Sequence, residues 1–152
     1  MIHKKSREEI KRMRHAGHIV ALVHQKMREN DGAGCPAECI RGSLGGKKIS
    51  RKLPIKELDD IAYRIIKENK ATPTFLGYCG FPGTICASIN EQVVHGIPSE
   101  NVIVKEGDII SVDVGATYGG MVGDGAWTYP VGNVSAEIKR LLLATEESLF
   151  EG

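Results

Sequence analysis

Two long β-prone runs, Asp108 to Tyr118 and Met121 to Val131, are joined by Gly119-Gly120, and no other feature constrains the fold as tightly. A two-residue Gly-Gly link reads as a tight hairpin turn, because both central residues of such a turn need positive φ. Tyr118 then pairs with Met121, Asp113 faces Ala126 and Gly115 faces Asp124. Side chains alternate between the faces of a strand, so Asp113 and Asp124 share one face as diagonal neighbours. Such neighbours lie roughly 7–8 Å apart at Cα, within reach of two carboxylate arms converging on one point.

Two carboxylates aimed at one point repel, so they need a cation, a shared proton or solvent. Asp124 lies in Gly123-Asp-Gly, which alone suggests a second turn. Asp113 has the apolar neighbours of Ile-Ser-Val-Asp-Val-Gly and no such structural reason. On spacing alone, a bound divalent ion and a pair of hydrogen-bonded structural carboxylates explain the pattern equally well.

The rest of the chain supplies helices around this hairpin. Ser6 with Glu9 is a capping box, and Ile10, Met13, Gly17, Val20 and Met27 form the stripe of an amphipathic helix reaching about Arg28. His24 falls on that stripe and reads as a packed or edge histidine, not a ligand. A second helix is predicted from Ile55 to Asn69, with Leu58, Ile61, Ala62, Ile65 and Ile66 inward. Short apolar runs at Thr74 to Tyr78, Thr84 to Ile89, Gln92 to His95 and Asn101 to Val104 read as strands and connecting turns. Ser135 caps a last helix with Ile138, Leu141, Leu142 and Leu149 on its apolar side. Helices flanking a contiguous set of strands indicate an α+β fold.

Composition removes several classes of function. Lys plus Arg number 20 against 19 Asp plus Glu, so the phosphate-neutralising excess of a dedicated nucleic-acid binder is missing. Basic clusters at Lys4 to Arg14 and Lys47 to Lys56 read as solvated faces. No apolar run approaches a membrane span, and the start has no signal-peptide stretch, so a cytoplasmic protein without membrane partners is expected. Cys35, Cys39, Cys79 and Cys86 are then reduced thiols. Cys35-Pro-Ala-Glu-Cys39 could give two zinc ligands, but no second tight pair follows. Leu44-Gly-Gly-Lys-Lys lacks phosphate-loop spacing.

The segments Asn90-Glu-Gln-Val-Val-His-Gly-Ile-Pro98, Glu106-Gly-Asp-Ile-Ile-Ser-Val-Asp-Val-Gly115 and Gly123-Asp-Gly-Ala-Trp-Thr128 resemble, in order and interval, the signatures of methionine aminopeptidase type I. Phe75-Leu-Gly-Tyr-Cys-Gly-Phe-Pro82 is similar to the family's segment lining the pocket for the substrate methionine, and Glu9 to Gly17 follows its first helix. The resemblance covers the chain apart from about Asp31 to Lys52, an irregular insert of about 31–52 that lacks the family's lead into the second helix. It implies half of a pita-bread fold in a single truncated domain over 1–152: an antiparallel sheet with flanking helices.

The resemblance further implies a hydrolase that removes N-terminal methionine from nascent proteins with divalent metal ions (Co, Mn, Fe or Zn). Asp113 and Asp124 become metal ligands and His95 the catalytic histidine beside the scissile bond. Phe75, Tyr78 and Phe81 become the apolar wall for a thioether, with Thr128 supporting Asp124. By themselves these aromatics could equally be core, and a histidine between Val94 and Gly96 would be structural. The family's second half adds a histidine and two glutamates, whereas only Glu137, Glu146, Glu147 and Glu151 follow Asp124 here. The chain alone is therefore expected to be weak or inactive. Three readings compete: an incomplete methionine aminopeptidase, a non-catalytic binding module that docks a nascent chain or a ribosome, and a proline-directed relative. His-Gly-Ile-Pro and Phe-Leu-Gly-Tyr favour methionine over proline. An uncovered sheet face or edge further implies a homodimer through the hairpin.

Overall fold

The computed structural model describes residues 3–29 and 54–152. The insert at 31–52, Cys35, Cys39 and the Leu44 segment lie outside the described residues.

Helix α1 spans Arg7–Glu29. Its capping box forms in both directions: the Glu9 N–H donates to Ser6 Oγ at 3.2 Å, and the Ser6 N–H donates to the Glu9 carboxylate at 2.6 Å. The buried stripe is Ala16, Ile19, Val20, Val23 and Met27, whereas Ile10 and Met13 are exposed. The expected stripe thus fails in its first turns. Arg12 donates to the Gly119 carbonyl at 2.9 Å, so at residue 12 the helix is already level with the hairpin tip. Earlier turns pass beyond the sheet and have no strand to cover them.

Helix α2, Ile55–Glu68, buries Leu58, Ile61, Ala62 and Ile66, with Ile65 packed at the margin of the core. Its Asp59 is buried, and Oδ1 accepts the Thr84 and Ile85 N–H groups at 2.6 and 3.0 Å. That carboxylate ties the helix to the start of a central strand.

The sheet comprises β1 (Thr72–Pro73), β2 (Ile85–Ile89), β3 (Ile109–Tyr118) and β4 (Met121–Pro130). β3 is central, with β4 on one side and both β1 and β2 on the other, every pairing antiparallel. The hairpin register is the one the Gly-Gly turn requires: Tyr118 opposite Met121, Asp113 opposite Ala126, Gly115 opposite Asp124. Gly119 and Gly120 both adopt positive φ, 54° and 78°.

Alternation divides the sheet into unlike faces. Ile110, Val112, Val114 and Ala116 of β3 are fully buried against the helices, together with Ile85, Ala87 and Tyr129. The other face carries Cys86 and Ser88 of β2, Ser111, Asp113 and Thr117 of β3, and Asp124 and Thr128 of β4. The face left without helices therefore carries these polar groups together with apolar residues such as the exposed Val122.

Of the four segments that read as strands and connecting turns, Thr84 to Ile89 holds β2 and the other three are connections. Between Thr74 and Tyr78 the chain winds into a turn leading to a short 3-10 segment, Tyr78–Gly80, with Gly77 and Cys79 at φ 83° and 49°. Between Gln92 and His95 the extended path is interrupted by His95 at φ 58°, after Asn90 at φ 51°. From Asn101 to Val104 a single bridge, Ile103 to Pro54, is made.

Helix α3, Ala136–Glu151, starts where expected, the Ile138 N–H donating to Ser135 Oγ at 3.2 Å. Its apolar side is packed only in part: no α3 residue is buried, Ile138 and Leu142 are half-buried, and Leu141 and Leu149 are 58% and 69% exposed. Among the described residues no helix is long and apolar enough to cross a membrane.

Candidate metal and substrate site

Asp113 reaches the polar face from the middle of the central strand, and Asp124 reaches it from the edge strand β4, diagonally across the pair. The Asp124 charge is close enough to raise the pKa of the Asp113 carboxyl. Two ionised carboxylates can only accept hydrogen bonds and repel each other, so a nearby cation, proton or solvent would relieve the pair. Asp113 is half-buried, and its Oδ1 is buried without a hydrogen-bond donor in the described structure. Burial pushes the Asp113 carboxyl above its usual range, the Asp124 charge adds to the rise, and His95 and the Val114 N–H oppose it.

This is the chemistry a divalent ion would satisfy. It would receive the orphaned oxygen and cancel the repulsion. Hard carboxylate oxygens suit hard divalent cations, while softer ions gain from imidazole or thiolate. No group of three or more His, Cys, Asp or Glu among the described residues is arranged to hold an ion. Asp113 and Asp124 thus fit as two donors of a larger set.

The flanking chain is shaped around this pair. A side chain at Gly115, directly opposite Asp124, would meet the Phe75 ring at 2.7 Å. Glycine there lets the ring lie over the strand beside the carboxylates. Thr74 supports that placement, its hydroxyl 2.9 Å from that of Thr117.

On the other side, residues 94–98 run along the outer edge of β2. Gly96 accepts the Ala87 N–H at 2.9 Å and donates to Ser88 Oγ at 3.1 Å. A Cβ on Gly96 would sit 2.2 Å from the Ala87 carbonyl oxygen, so only glycine allows this approach. It fixes His95, in left-handed conformation and exposed, close enough to Asp113 to favour its charge. A non-glycine residue held at positive φ costs of order 1–3 kcal/mol, and such strain concentrates at functional sites.

Of the aromatic wall, Phe75 touches the carboxylate-bearing face, Phe81 is half-buried and Tyr78 is 72% exposed. Thr128 does not serve Asp124 as expected; its hydroxyl lies 2.8 Å from Ser111 Oγ, its direct partner on β3.

Sequence reasoning missed Cys86. It lies opposite Asp113 on β2, and burial with the two nearby carboxylates pushes its thiol up to about 11, so it stays protonated. It also missed the spacing roles of Gly96 and Gly115. No tight turn sets the β2–β3 register, so nothing in the sequence brought Cys86 and Asp113 together.

The profile of metallopeptidase family M24 matches residues 11–152, which includes every residue of this site. The chain belongs to that family. It is 48% identical over 152 residues to methionine aminopeptidase 1 of Bacillus subtilis (strain 168), covering 100% of this chain and 54% of that protein. It is 40% identical to the methionine aminopeptidase of Borreliella burgdorferi, covering 97% and 51%. The crystal structure of the Thermotoga maritima methionine aminopeptidase superimposes with a TM-score of 0.84 at 36% identity, covering 99% of this chain and 53% of that one. The chain thus has half of a pita-bread fold. It spans about half the length of the curated relatives it matches. The X-Pro aminopeptidase of Thermotoga maritima MSB8 shares the fold alone, with a TM-score of 0.64 at 19% identity.

Proposed function

We propose that this chain forms the N-terminal half of the site of a cytoplasmic methionine aminopeptidase, which cleaves the first methionine from nascent chains by metal-assisted hydrolysis. The supporting observation is the facing pair Asp113 and Asp124, with a buried Asp113 oxygen that lacks a donor. The chain acts as one domain, and its two carboxylates hold part of a divalent site. A divalent ion, when bound, supplies the Lewis acidity for peptide hydrolysis. Further donors come from outside the described residues.

His95, held rigidly beside Asp113, donates a hydrogen bond or proton to the substrate at the scissile bond, which suits an imidazole near neutral pH. Phe75, with Tyr78 and Phe81 further out, offers aromatic surface to the thioether of the leading methionine. The similarity to methionine-directed relatives over the whole chain favours that substrate over an X-Pro peptide.

A chimera tests the reading: residues 1–152 replace the matching half of the Bacillus subtilis methionine aminopeptidase 1. It is expected to release methionine from a Met-Ala-Ser peptide with Mn²⁺ or Co²⁺, and Asp113→Asn or Asp124→Asn should each reduce release by about a hundredfold or more. A folded chimera whose Asp124→Asn form keeps full activity would exclude the assignment. The absence of a three-donor cluster among the described residues favours a second reading, a methionine-binding module without turnover. Peptide binding by the chimera without release would select it.

A further inference from the structure

His24 is a buried ionisable group on α1 that the proposed mechanism does not use. Its two ring nitrogens have fixed partners. Nε2 lies 3.0 Å from the Gly125 carbonyl oxygen, and Nδ1 lies 2.8 Å from the Tyr129 hydroxyl. A carbonyl only accepts, so Nε2 carries the proton and donates. Burial lowers the His24 pKa, and the neutral ring then takes the Tyr129 O–H at Nδ1.

The carbonyl it holds belongs to the residue after Asp124. Asp124 sits between Gly123 and Gly125, so the segment has no flanking side chains to anchor its direction. β4 pairs with β3 alone among the described strands. What pins this stretch is α1. A Cβ on Gly123 would lie 2.4 Å from the Gly17 nitrogen, and one on Gly125 would lie 3.3 Å from Val20 Cγ1. Helix backbone touches strand backbone at residue 123, and His24 bonds the strand at residue 125. Together they grip both sides of Asp124 from the core face while its carboxylate projects from the other.

We propose that His24 is a positioning residue for Asp124, acting through the Gly125 carbonyl; this rests on the reading of Asp124 as a metal ligand. Tyr129, itself fully buried, orients the ring, whose tautomer the Gly125 carbonyl sets. Outer partners of this kind hold a ligand in the geometry its ion requires.

The test is Mn²⁺ titration of the 152-residue chain, followed by paramagnetic broadening of backbone amide resonances, which detects weak sites. Broadening is expected to centre on Asp113 and Asp124 and to disappear in Asp124→Asn. His24→Leu keeps the volume and removes the donor; it should weaken Mn²⁺ binding about tenfold, with the resonances of Val112 and Val114 unmoved. His24→Gln, which restores an N–H donor, should recover affinity to within about threefold of the original. Wild-type affinity in the Leu variant, or no recovery in the Gln variant, would overturn the proposal while leaving the metal reading intact. Should His24→Leu fail to fold, Tyr129→Phe releases the ring with its packing kept, and unchanged Mn²⁺ affinity there would equally overturn it. Broadening that is the same in the original chain and in Asp124→Asn would remove the metal reading, and this proposal with it.

Discussion

The two faces of the β3–β4 hairpin are built from the same strands and hold different groups. Toward the helices, Ile110, Val112, Val114 and Ala116 are fully buried, His24 is paired with Tyr129 and Gly125, and Arg28, over the Trp127 ring, leaves its Nε without a hydrogen-bond partner among the described residues. On the other face, Asp113 and Asp124 approach each other and one buried oxygen is left without a donor. A buried polar group without a partner costs about 1–3 kcal/mol, and at Asp113 the proposed divalent ion would offset that cost.

The largest expected effect lies on the core face. Ile110→Ala deletes buried methylenes from the central strand and should lower unfolding free energy by about 2–5 kcal/mol in urea titrations. A smaller loss would mean that the helices do not clamp this face as tightly as the burial indicates. On the site face, Gly115→Ala places a methyl group 2.7 Å from the Phe75 ring and should cost about 1–3 kcal/mol. Its clearer signature is a displaced Phe75, visible in aromatic NMR shifts.

The pH dependence should differ in sign between the faces. The His24 pKa is depressed from 6.5, so its contribution is fully present above pH 6.5 and is lost as pH falls through the depressed folded value. The Asp113 pKa is raised from 3.8. Without an ion, folding therefore favours its protonated form, and its contribution weakens as pH rises from 3.8 through the elevated folded value. Asp113→Asn should remove that second dependence alone. At neutral pH it should leave thermal stability unchanged or slightly higher, the smallest effect of the set. A marked loss of stability would show that the carboxylate is a structural partner and not a ligand in waiting.

How much of this was legible depends on what fixes each register. Gly119-Gly120 admits a two-residue turn, so the positions of Asp113 and Asp124 followed from counting residues, and Ser6, Glu9 and Ser135 announced their helix starts through local hydrogen bonds. The segments Thr74 to Tyr78 and Gln92 to His95 read as strands or connecting turns, and the sequence does not decide between the two. Their apolar residues line a site or face solvent, and Cys79, Asn90 and His95 adopt positive φ that residue type does not reveal. The exposed Leu141 and Leu149 share a helical pattern with packed residues, and pattern alone does not say whether a partner surface is present. The pairing of His24 with Gly125 spans distant parts of the chain and depends on where α1 crosses β4.

The central claim is that Asp113 and Asp124, on the uncovered face, together receive a divalent ion. Its most direct test is an anomalous difference map from Mn²⁺-soaked crystals of the chain. The account predicts a peak between the two carboxylates, within bonding distance of both. Carboxylates with no peak between them, and manganese bound elsewhere or not at all, would contradict it.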